Sequence, residues 1–393
     1  MTNALKQFVA VSRVAILGLP SRARMSLVSV VSVALVTLVL LGFLSMAAGF
    51  RETVAGSGSE ESAVVLAEGA SSEFNSAIRP QALARLENAP GVARAGGVPL
   101  ISAESHTVVS VAENDGAESS VTLRGMGPHG LAVRPQATLV EGRMFGPGRN
   151  ELVVGRAVAG RYRDLKLGRT VRLAGVDWTV VGVFGTHGSA MESEVWADQK
   201  LVAQFFQSGD AVQSARLRLT APDALAGLQA YAVADAGAKL DVKSEKAHYA
   251  AQARGTGNLI LYVGWPLGIA MAVGALAGAL NTMLTSVSTR SDEIVTLRTL
   301  GFGSGAMFVS TMVESLLLVV AGALVGVVLA WLFLHGMAAS TVGANLTQVM
   351  FTVELTGGSV VQAVLLAVVV GVLGGALPSW RAARQSLVRS GAQ

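Results

Sequence analysis

The sequence predicts an α-helical membrane protein with four transmembrane helices, arranged one and then three, around a mixed α+β extracytoplasmic domain. Three observations carry this reading. Four stretches lack any Asp, Glu, Lys or Arg: residues 25–50, 255–289, 315–353 and 355–380. Each reaches the length of about 20 apolar residues that a helix needs to cross a bilayer. Between the first and second lies a long polar segment, residues 51–254. The basic residues then orient the spans. Lys6, Arg13, Arg22 and Arg24 precede the first, Arg290 and Arg298 lie between the second and third, and Arg381, Arg384 and Arg389 follow the fourth. Residues 335–354, between the third and fourth, hold no Lys or Arg. Basic residues remain on the cytoplasmic side, so both termini are expected inside and the large domain outside.

In chain order, residues 1–24 form a cytoplasmic segment. Leu5, Phe8, Val9, Ile16 and Leu17 fit an amphipathic helix lying on the inner surface, and they equally fit a frayed tail. The first span is 25–50. Its basic flank and Ser45-Met46-Ala47-Ala48 resemble a cleaved leader, but its uncharged run exceeds the roughly 7–15-residue core of one. A retained helix is the reading.

The outer domain, residues 51–254, carries 21 Lys+Arg against 22 Asp+Glu. The sequence pI of about 9.6 therefore comes from short juxtamembrane segments, and topology accounts for it without nucleic acid. With no cysteine in the chain, no disulfide helps hold the domain; its own core must. Alternation in 170–173 and 176–183, separated by Ala174-Gly175, predicts a hairpin. Residues 108–111, 121–124 and 215–219 read as strands, and 80–88 and 222–234 as helices opening on a proline. A break at 125–135 is expected to separate two subdomains.

No catalytic site emerges from the residues. Gly125-Met126-Gly127-Pro128-His129-Gly130 fits GxGxxG, but Pro128 and the absence of a following helix make it a turn. His106, His129, His187, His248 and His335 are scattered, with no metal-ligand spacing. Ser189 and Ser193 lie near His187 and Glu192, yet a triad is a matter of geometry, not of neighbours in sequence. The chain contains no Gly-Lys dipeptide, so it holds no GxxxxGK[ST] loop. No cofactor is expected on this chain, and any ATP hydrolysis must come from a partner.

The remaining segments are a span at 257–285, a cytoplasmic loop at 286–303, a span at 304–334, a short outer loop at 335–356, a span at 357–380 and a tail at 381–393. The loop is the sharpest local signal. Thr289 and Asp292 have capping-box spacing, and Gly301 is placed as a helix stop. Ile294, Leu297 and Leu300 share one side of a short helix, with Arg290, Glu293 and Arg298 towards the others. A plain connection needs only a few polar residues, so this helix reads as a docking surface for a cytoplasmic protein. Gly274 and Gly278, Gly322 and Gly326, and Gly371 and Gly375 each form a GxxxG that permits close helix contact in lipid. Glu314, inside the third span, is costly there and should face the bundle, paired or protonated.

These residues carry a family resemblance. Asn281-Thr282-Met283-Leu284 followed by Arg290-x-x-Glu293-Ile294-x-x-Leu297-Arg298-x-Leu300-Gly301 resembles the MacB/FtsX family of ABC transporter permeases. Glu314 to Leu318, Leu377 to Arg384, Val140 to Phe145, Glu151 to Gly155 and Val180 to Val183 are similar too. The resemblance covers nearly the whole chain and departs from MacB in lacking a fused nucleotide-binding domain. It implies an inner-membrane, non-catalytic subunit that pairs with a second permease copy or paralogue and binds a cytoplasmic ABC ATPase. Arg290, Asp292, Glu293, Ile294, Leu297, Arg298, Leu300 and Gly301 would form the coupling helix. ATP-driven motion would reach the periplasmic domain, which moves cargo outside the membrane with a periplasmic membrane-fusion protein. Alternatives within the family are an FtsX-like regulator of a cell-wall hydrolase and LolC/LolE-like lipoprotein extraction.

Overall fold

The computed structural model describes residues 7–8, 11–13, 17, 23–206, 211–234, 239–342 and 348–384. The segment before Arg22, read equally as an amphipathic helix or a frayed tail, falls largely outside them. Four described helices are long and apolar enough to cross a membrane: Ser26–Ala55, Glu245–Thr289, Ser304–Leu334 and Gly357–Ala383. The rest is dominated by one mixed sheet, so the architecture is the α-helical membrane protein with a mixed α/β domain that the sequence predicts.

The elements run as follows. Helix α1 (Ala23–Ala55) is followed by β1 (Ser62–Ala67), a 3-10 turn at Glu73–Asn75, and α2 (Pro80–Leu86). A small β2–β3 ribbon (Arg94–Ala95, Val98–Pro99) leads to the long strands β4 (Ile101–Ala112) and β5 (Glu118–Met126). Then come β6 (Thr138–Gly142), β7 (Glu151–Gly155), α3 (Arg156–Arg161), β8 (Thr170–Leu173) and β9 (Val176–Gly185). A 3-10 turn at Ala190–Ser193 precedes β10 (Glu194–Asp198), α4 (Gln199–Phe205), β11 (Ser214–Arg218), α5 (Ala224–Ala234) and β12 (Leu240–Ser244). The chain continues through α6 (Glu245–Thr289), α7 (Ser291–Thr299), α8 (Ser304–Leu334), β13 (Ala338–Val342), β14 (Gln348–Thr352) and α9 (Gly357–Ala383).

Two compact units result: Gly49–Asn258 with Ala338–Thr352, and Met1–Ala48 with Leu259–Met337 and Val353–Gln393. In the first, the strand order is β12-β1-β11-β4-β5-β10-β7-β9-β6, with β8 paired to β9. Most pairs are antiparallel; β5 with β10 and β7 with β9 are parallel. The expected hairpin is present, Leu173 facing Val176. Its turn places both Ala174 (φ 49°) and Gly175 (φ 78°) in the left-handed region, as a two-residue turn matching strand twist requires.

Several boundaries differ from the sequence reading, each for a local reason. Residues 108–111 and 121–124 lie within longer paired strands, β4 and β5. The helix expected from Pro222 starts at Ala224, and the one from Pro80 ends at Leu86. Residues 125–135 do not divide the domain: β5 runs through Gly125 and Met126, and one sheet continues across. The two apolar cores are instead interleaved in sequence. One draws on Ala63, Val65, Ile78, Leu86, Ala215, Leu217, Leu228 and Val242, the other on Val109, Leu123, Leu152, Val154, Trp178, Val180 and Val202. Helix α6 begins ten positions before 255 because Ser244 caps it, its Oγ accepting from Ala247 N at 3.1 Å. The outer loop at 335–356 contains the β13–β14 hairpin, which joins the sheet unit: Met350 N donates to Ser193 Oγ at 3.0 Å, and Phe351 meets Phe50 edge to face.

Candidate functional site

The cytoplasmic loop folds as the short helix α7, but its start differs from the expected capping box. Helix α6 runs through Thr289, whose hydroxyl donates back to Ser286 O at 2.9 Å. Arg290 is therefore the N-cap residue, without a side-chain cap bond. The stop is as the sequence reads: Gly301 has φ 96°, Gly301 N donates to Arg298 O and Phe302 N to Leu297 O. That pair of bonds is the Schellman arrangement, and Gly meets its φ requirement without steric cost.

Side-chain placement revises the docking face. Ile294 is buried against Val11, Val287, Ala306, Met307 and Ala382. Leu297 is half-buried, and only Leu300 of the three apolar residues is open, at 72%. A helix on a bundle spends its apolar stripe on its own neighbours, and Ile294 anchors α7 in this way. Arg290 is also turned inward: Nη1 donates to Glu314 Oε2 at 2.8 Å and Nε to Glu293 Oε2 at 3.1 Å. Glu314 thus faces the bundle and is paired. Asp292, Glu293, Thr296, Thr299 and Leu300 form the exposed surface, with Arg298 half-buried.

The glycine pairs separate into two kinds. A Cβ on Gly322 would come within 2.8 Å of Val30 O and Val33 Cβ, and one on Gly326 within 2.7 Å of Ala34 O and Thr37 Cβ. Gly371 meets Val319 and Gly375 meets Ser315 as closely, and Ser315 Oγ donates to Gly371 O at 3.0 Å. These two pairs seat α8 on α1 and α9 on α8. Gly274 and Gly278 have nothing within 4 Å of the added carbon.

In the sheet unit the tempting residues serve structure. Glu192 Oε1 accepts from Thr186 N at 2.6 Å and Gly188 N at 3.0 Å, Thr186 and Ser189 share a 2.6 Å hydroxyl contact, and His187 occupies a left-handed turn position at φ 56°. The glycine-rich run straddles the end of β5 and a turn in which Gly127 N donates to Ser102 Oγ.

What sequence reasoning missed is a buried ionic network on one face of the sheet. Arg124 binds Glu194 through Nε at 2.6 Å and Nη2 at 2.5 Å, and Glu104 through Nη1 at 2.7 Å. Arg134 Nη2 lies 2.7 Å from Glu104. Arg216 reaches Glu104 at 3.1 Å, Glu73 at 3.0 Å, Tyr249 Oη at 2.8 Å, and Glu245. Burial alone would raise Glu104, yet Arg134, Arg124 and Arg216 outweigh it and hold the carboxyl at about 2. Burial lowers His106 to about 4 against the pull of Glu73, so it is neutral at pH 7. Glu73, Glu104 and His106 gather ligand atoms within 4.8 Å, but Arg124 Nη1 already sits among them, 3.3 Å from both Glu73 and His106. The guanidinium fills the place of a cation. The available signal was Glu104 and His106 two apart in the strand-forming run 101–112, an alternation that puts both on one buried face.

A second polar device links the motifs at 140–145 and 151–155. Arg143 holds Glu151 with two bonds of 2.7 and 2.6 Å, and Gly146 N donates to the same carboxylate at 2.8 Å. The Arg143 bond is the main cause that holds Glu151 at about 2.

Comparison with known proteins places both units. The MacB-like periplasmic core domain matches residues 26–238, more than half of the chain, and the FtsX-like permease C-terminal region matches 267–387. The pyoverdine export ATP-binding/permease protein PvdT of Pseudomonas entomophila (strain L48) is 26% identical over 277 residues, 66% of this chain and 38% of that protein. The chain thus spans well under half of that relative's length. The periplasmic region of MacB from Actinobacillus actinomycetemcomitans aligns at 11% identity and TM-score 0.38, over 50% of this chain and 94% of that one. The extracellular domain of the noncanonic ABC-type transporter YknZ from Gram-positive bacteria aligns at 14% identity and TM-score 0.36, over 47% and 100%.

Proposed function

The chain belongs to the family of ABC transporter permeases with a MacB-like periplasmic core domain and an FtsX-like C-terminal region, and from that premise we propose that it couples a separate cytoplasmic ABC ATPase to periplasmic work. Both termini and α7 are cytoplasmic in this reading, and the sheet unit lies on the periplasmic side of the inner membrane. ATP and Mg are held by the ATPase; this chain supplies the surface that feels it.

The observation that carries the reading is the way α7 is held. Its cap is closed by Gly301, its apolar residue Ile294 is buried in its own unit, and Arg290 ties it to Glu314 on α8. A loop fixed this firmly moves with the spans, while Asp292, Glu293 and Leu300 remain open to an incoming protein. Packed helices and ion pairs carry displacement because they hold discrete arrangements rather than deforming smoothly. The relative's name joins ATP-binding and permease roles in a longer chain; here the ATP-binding role would fall to another subunit.

A second copy or a paralogue completes the membrane unit through α6, whose Gly274 and Gly278 are open and suited to close helix contact. The export reading adds a periplasmic membrane-fusion protein as the outer continuation of the path. Glu293→Arg tests the coupling role. Its side chain is 60% exposed, so folding should persist while ATP turnover of the co-purified ATPase drops to that of the ATPase alone. Undiminished stimulation would overturn the assignment.

A further inference from the structure

Charge is unevenly spread over the outer unit. Residues 143–180 hold eight Lys+Arg against three Asp+Glu, whereas the remainder of 51–254 holds 13 against 19. Folding gathers this basic run instead of dispersing it. Three consecutive residues of β9 collect its parts: Thr179 N donates to Asn150 O at 3.0 Å, Val180 N to Arg169 O at 2.9 Å, and Val181 O accepts from Arg143 N at 3.0 Å. Arg169 N donates to Lys166 O at 3.0 Å, and Arg172 follows in β8. Some of these charges are already paired. Arg143 grips Glu151, Arg149 lies 3.8 Å from the same carboxylate, Arg161 holds Glu113, and Arg163 lies 3.6 Å from Asp164. Lys166, Arg169 and Arg172 are exposed and form no ion pair among the described residues.

The same place offers an open sheet edge. Among the described residues β8 pairs with β9 alone. Its register fixes which backbone groups are free. The two-residue turn makes Leu173 and Val176 a hydrogen-bonded pair, and the bond from Val180 N to Arg169 O marks another at the far end. Bonded and non-bonded pairs alternate along an antiparallel ladder. Val171 therefore bonds to Trp178, while Thr170 and Arg172 turn their N–H and C=O away from β9. Side chains alternate as well: Thr170 and Arg172 are exposed on one face, and Val171 and Leu173 are buried on the other, in the core that holds Trp178. Asp177, opposite Arg172, is the one acidic residue of the hairpin.

We propose that the outer edge of β8 takes up an extended segment of a partner protein in which acidic and apolar residues alternate. The added strand bonds to the free backbone groups of Thr170 and Arg172. Its carboxylates stand on the exposed face beside Arg172, with Arg169 and Lys166 at the end of the strand. Its apolar residues continue the face of Val171 and Leu173. Strand addition draws affinity from main-chain bonds and specificity from alternate side chains, and the planar guanidinium suits a carboxylate. A lipid surface or a polyphosphate could use the charges but not the edge, which favours a peptide. The inference goes beyond the permease reading and does not depend on it.

The full chain, purified in mild detergent, is titrated against a fluorescein-labelled decapeptide of alternating Glu and Val, followed by anisotropy. Saturable binding is expected, weakening as salt rises, with none of the matching peptide of Lys and Val. Arg169→Glu with Arg172→Glu should weaken it at least about tenfold, as reversal of a few exposed charge pairs would. The melting temperature should hold, because both side chains are exposed. Methylating the glutamate nitrogens keeps every charge and removes the donors that face β8, so the methylated peptide should not bind. Equal binding of the methylated peptide would reveal a patch that adheres to any polyanion and would overturn strand addition. Equal binding by the charge-reversed variant, or none by the unmodified chain, would overturn the site itself. ATP turnover enters none of these readings, so the permease assignment is left as it stands by either result.

Discussion

Arg290 and Glu314, 24 positions apart in sequence, meet in the membrane unit with Arg290 Nη1 donating to Glu314 Oε2 at 2.8 Å. The side chains are 10% and 4% exposed. The pair fastens the loop helix α7 to α8 at a point where neither charge has much water to fall back on. Removing one partner of a buried pair costs up to about 3–5 kcal/mol where the other is left uncompensated, and less here because Arg290 keeps Glu293 at 3.1 Å, whereas replacing both with apolar groups is often neutral. Glu314→Gln is therefore expected to lower the melting temperature in detergent, and Arg290→Met with Glu314→Leu to recover most of it. A single variant that melts with the wild type would show the pair to be idle.

The glycines give a paired prediction. Gly322→Val drives a side chain into Val30 O and Val33, and overpacking of this sort costs about 1–3 kcal/mol, so the monomer should melt earlier. Gly274→Val meets nothing within 4 Å. It should leave the melting curve alone and shift the mass measured in detergent from dimer to monomer. A Gly274→Val chain that remains dimeric would remove this face of α6 from the interface.

Acid should unfold the outer unit in two stages. Glu104 is held at about 2, below the ordinary carboxylate value of roughly 4.3. Its contribution is complete above that ordinary value and is lost as pH falls towards 2. His106 is held at about 4, below its ordinary value of roughly 6.5, so the unfolded chain takes the proton first and stability drops as pH falls from 6.5 to 4. His248, also lowered by burial, adds to this upper stage. Melting temperature measured against pH should show both stages, with the upper one shrinking in His106→Gln. A curve unchanged by that substitution would contradict the assignment.

The β8–β9 turn offers a stabilising change. Ala174 adopts φ 49° with a Cβ that disfavours it, at a cost of about 1–2 kcal/mol relative to a right-handed conformation. Asn tolerates that region and is the favoured first residue of such turns. Ala174→Asn should raise the melting temperature, most visibly under conditions where the outer unit unfolds first; a fall would mean that the turn carries strain of another origin.

The spans were legible because lipid demands length and apolarity of every turn of a helix, and 25–50 or 357–380 can satisfy that demand in only one way. The hairpin at Ala174-Gly175 and the stop at Gly301 were legible because each needs a backbone conformation that few residues accept. Helix bounds were less so: α6 reaches back to Glu245 on the strength of a Ser244 cap that looks like any other serine. The ionic face was hidden for a physical reason. Arg124, Arg216, Glu104 and Glu194 are scattered through the chain, and a solvated charge reads the same as a buried one until strand pairing aligns them. The burial of Ile294 within its own unit was not legible because periodicity reveals an apolar stripe without saying what covers it.

The central claim, a permease that works through a separate ATPase, is tested most directly by purifying the full chain from its own host in mild detergent and identifying what accompanies it by mass spectrometry. The account predicts an ABC ATPase in stoichiometric amount, its turnover reduced to that of the ATPase alone in the Glu293→Arg variant, together with a membrane-fusion protein. A chain that carries no ATPase, with or without trapped nucleotide, would contradict it.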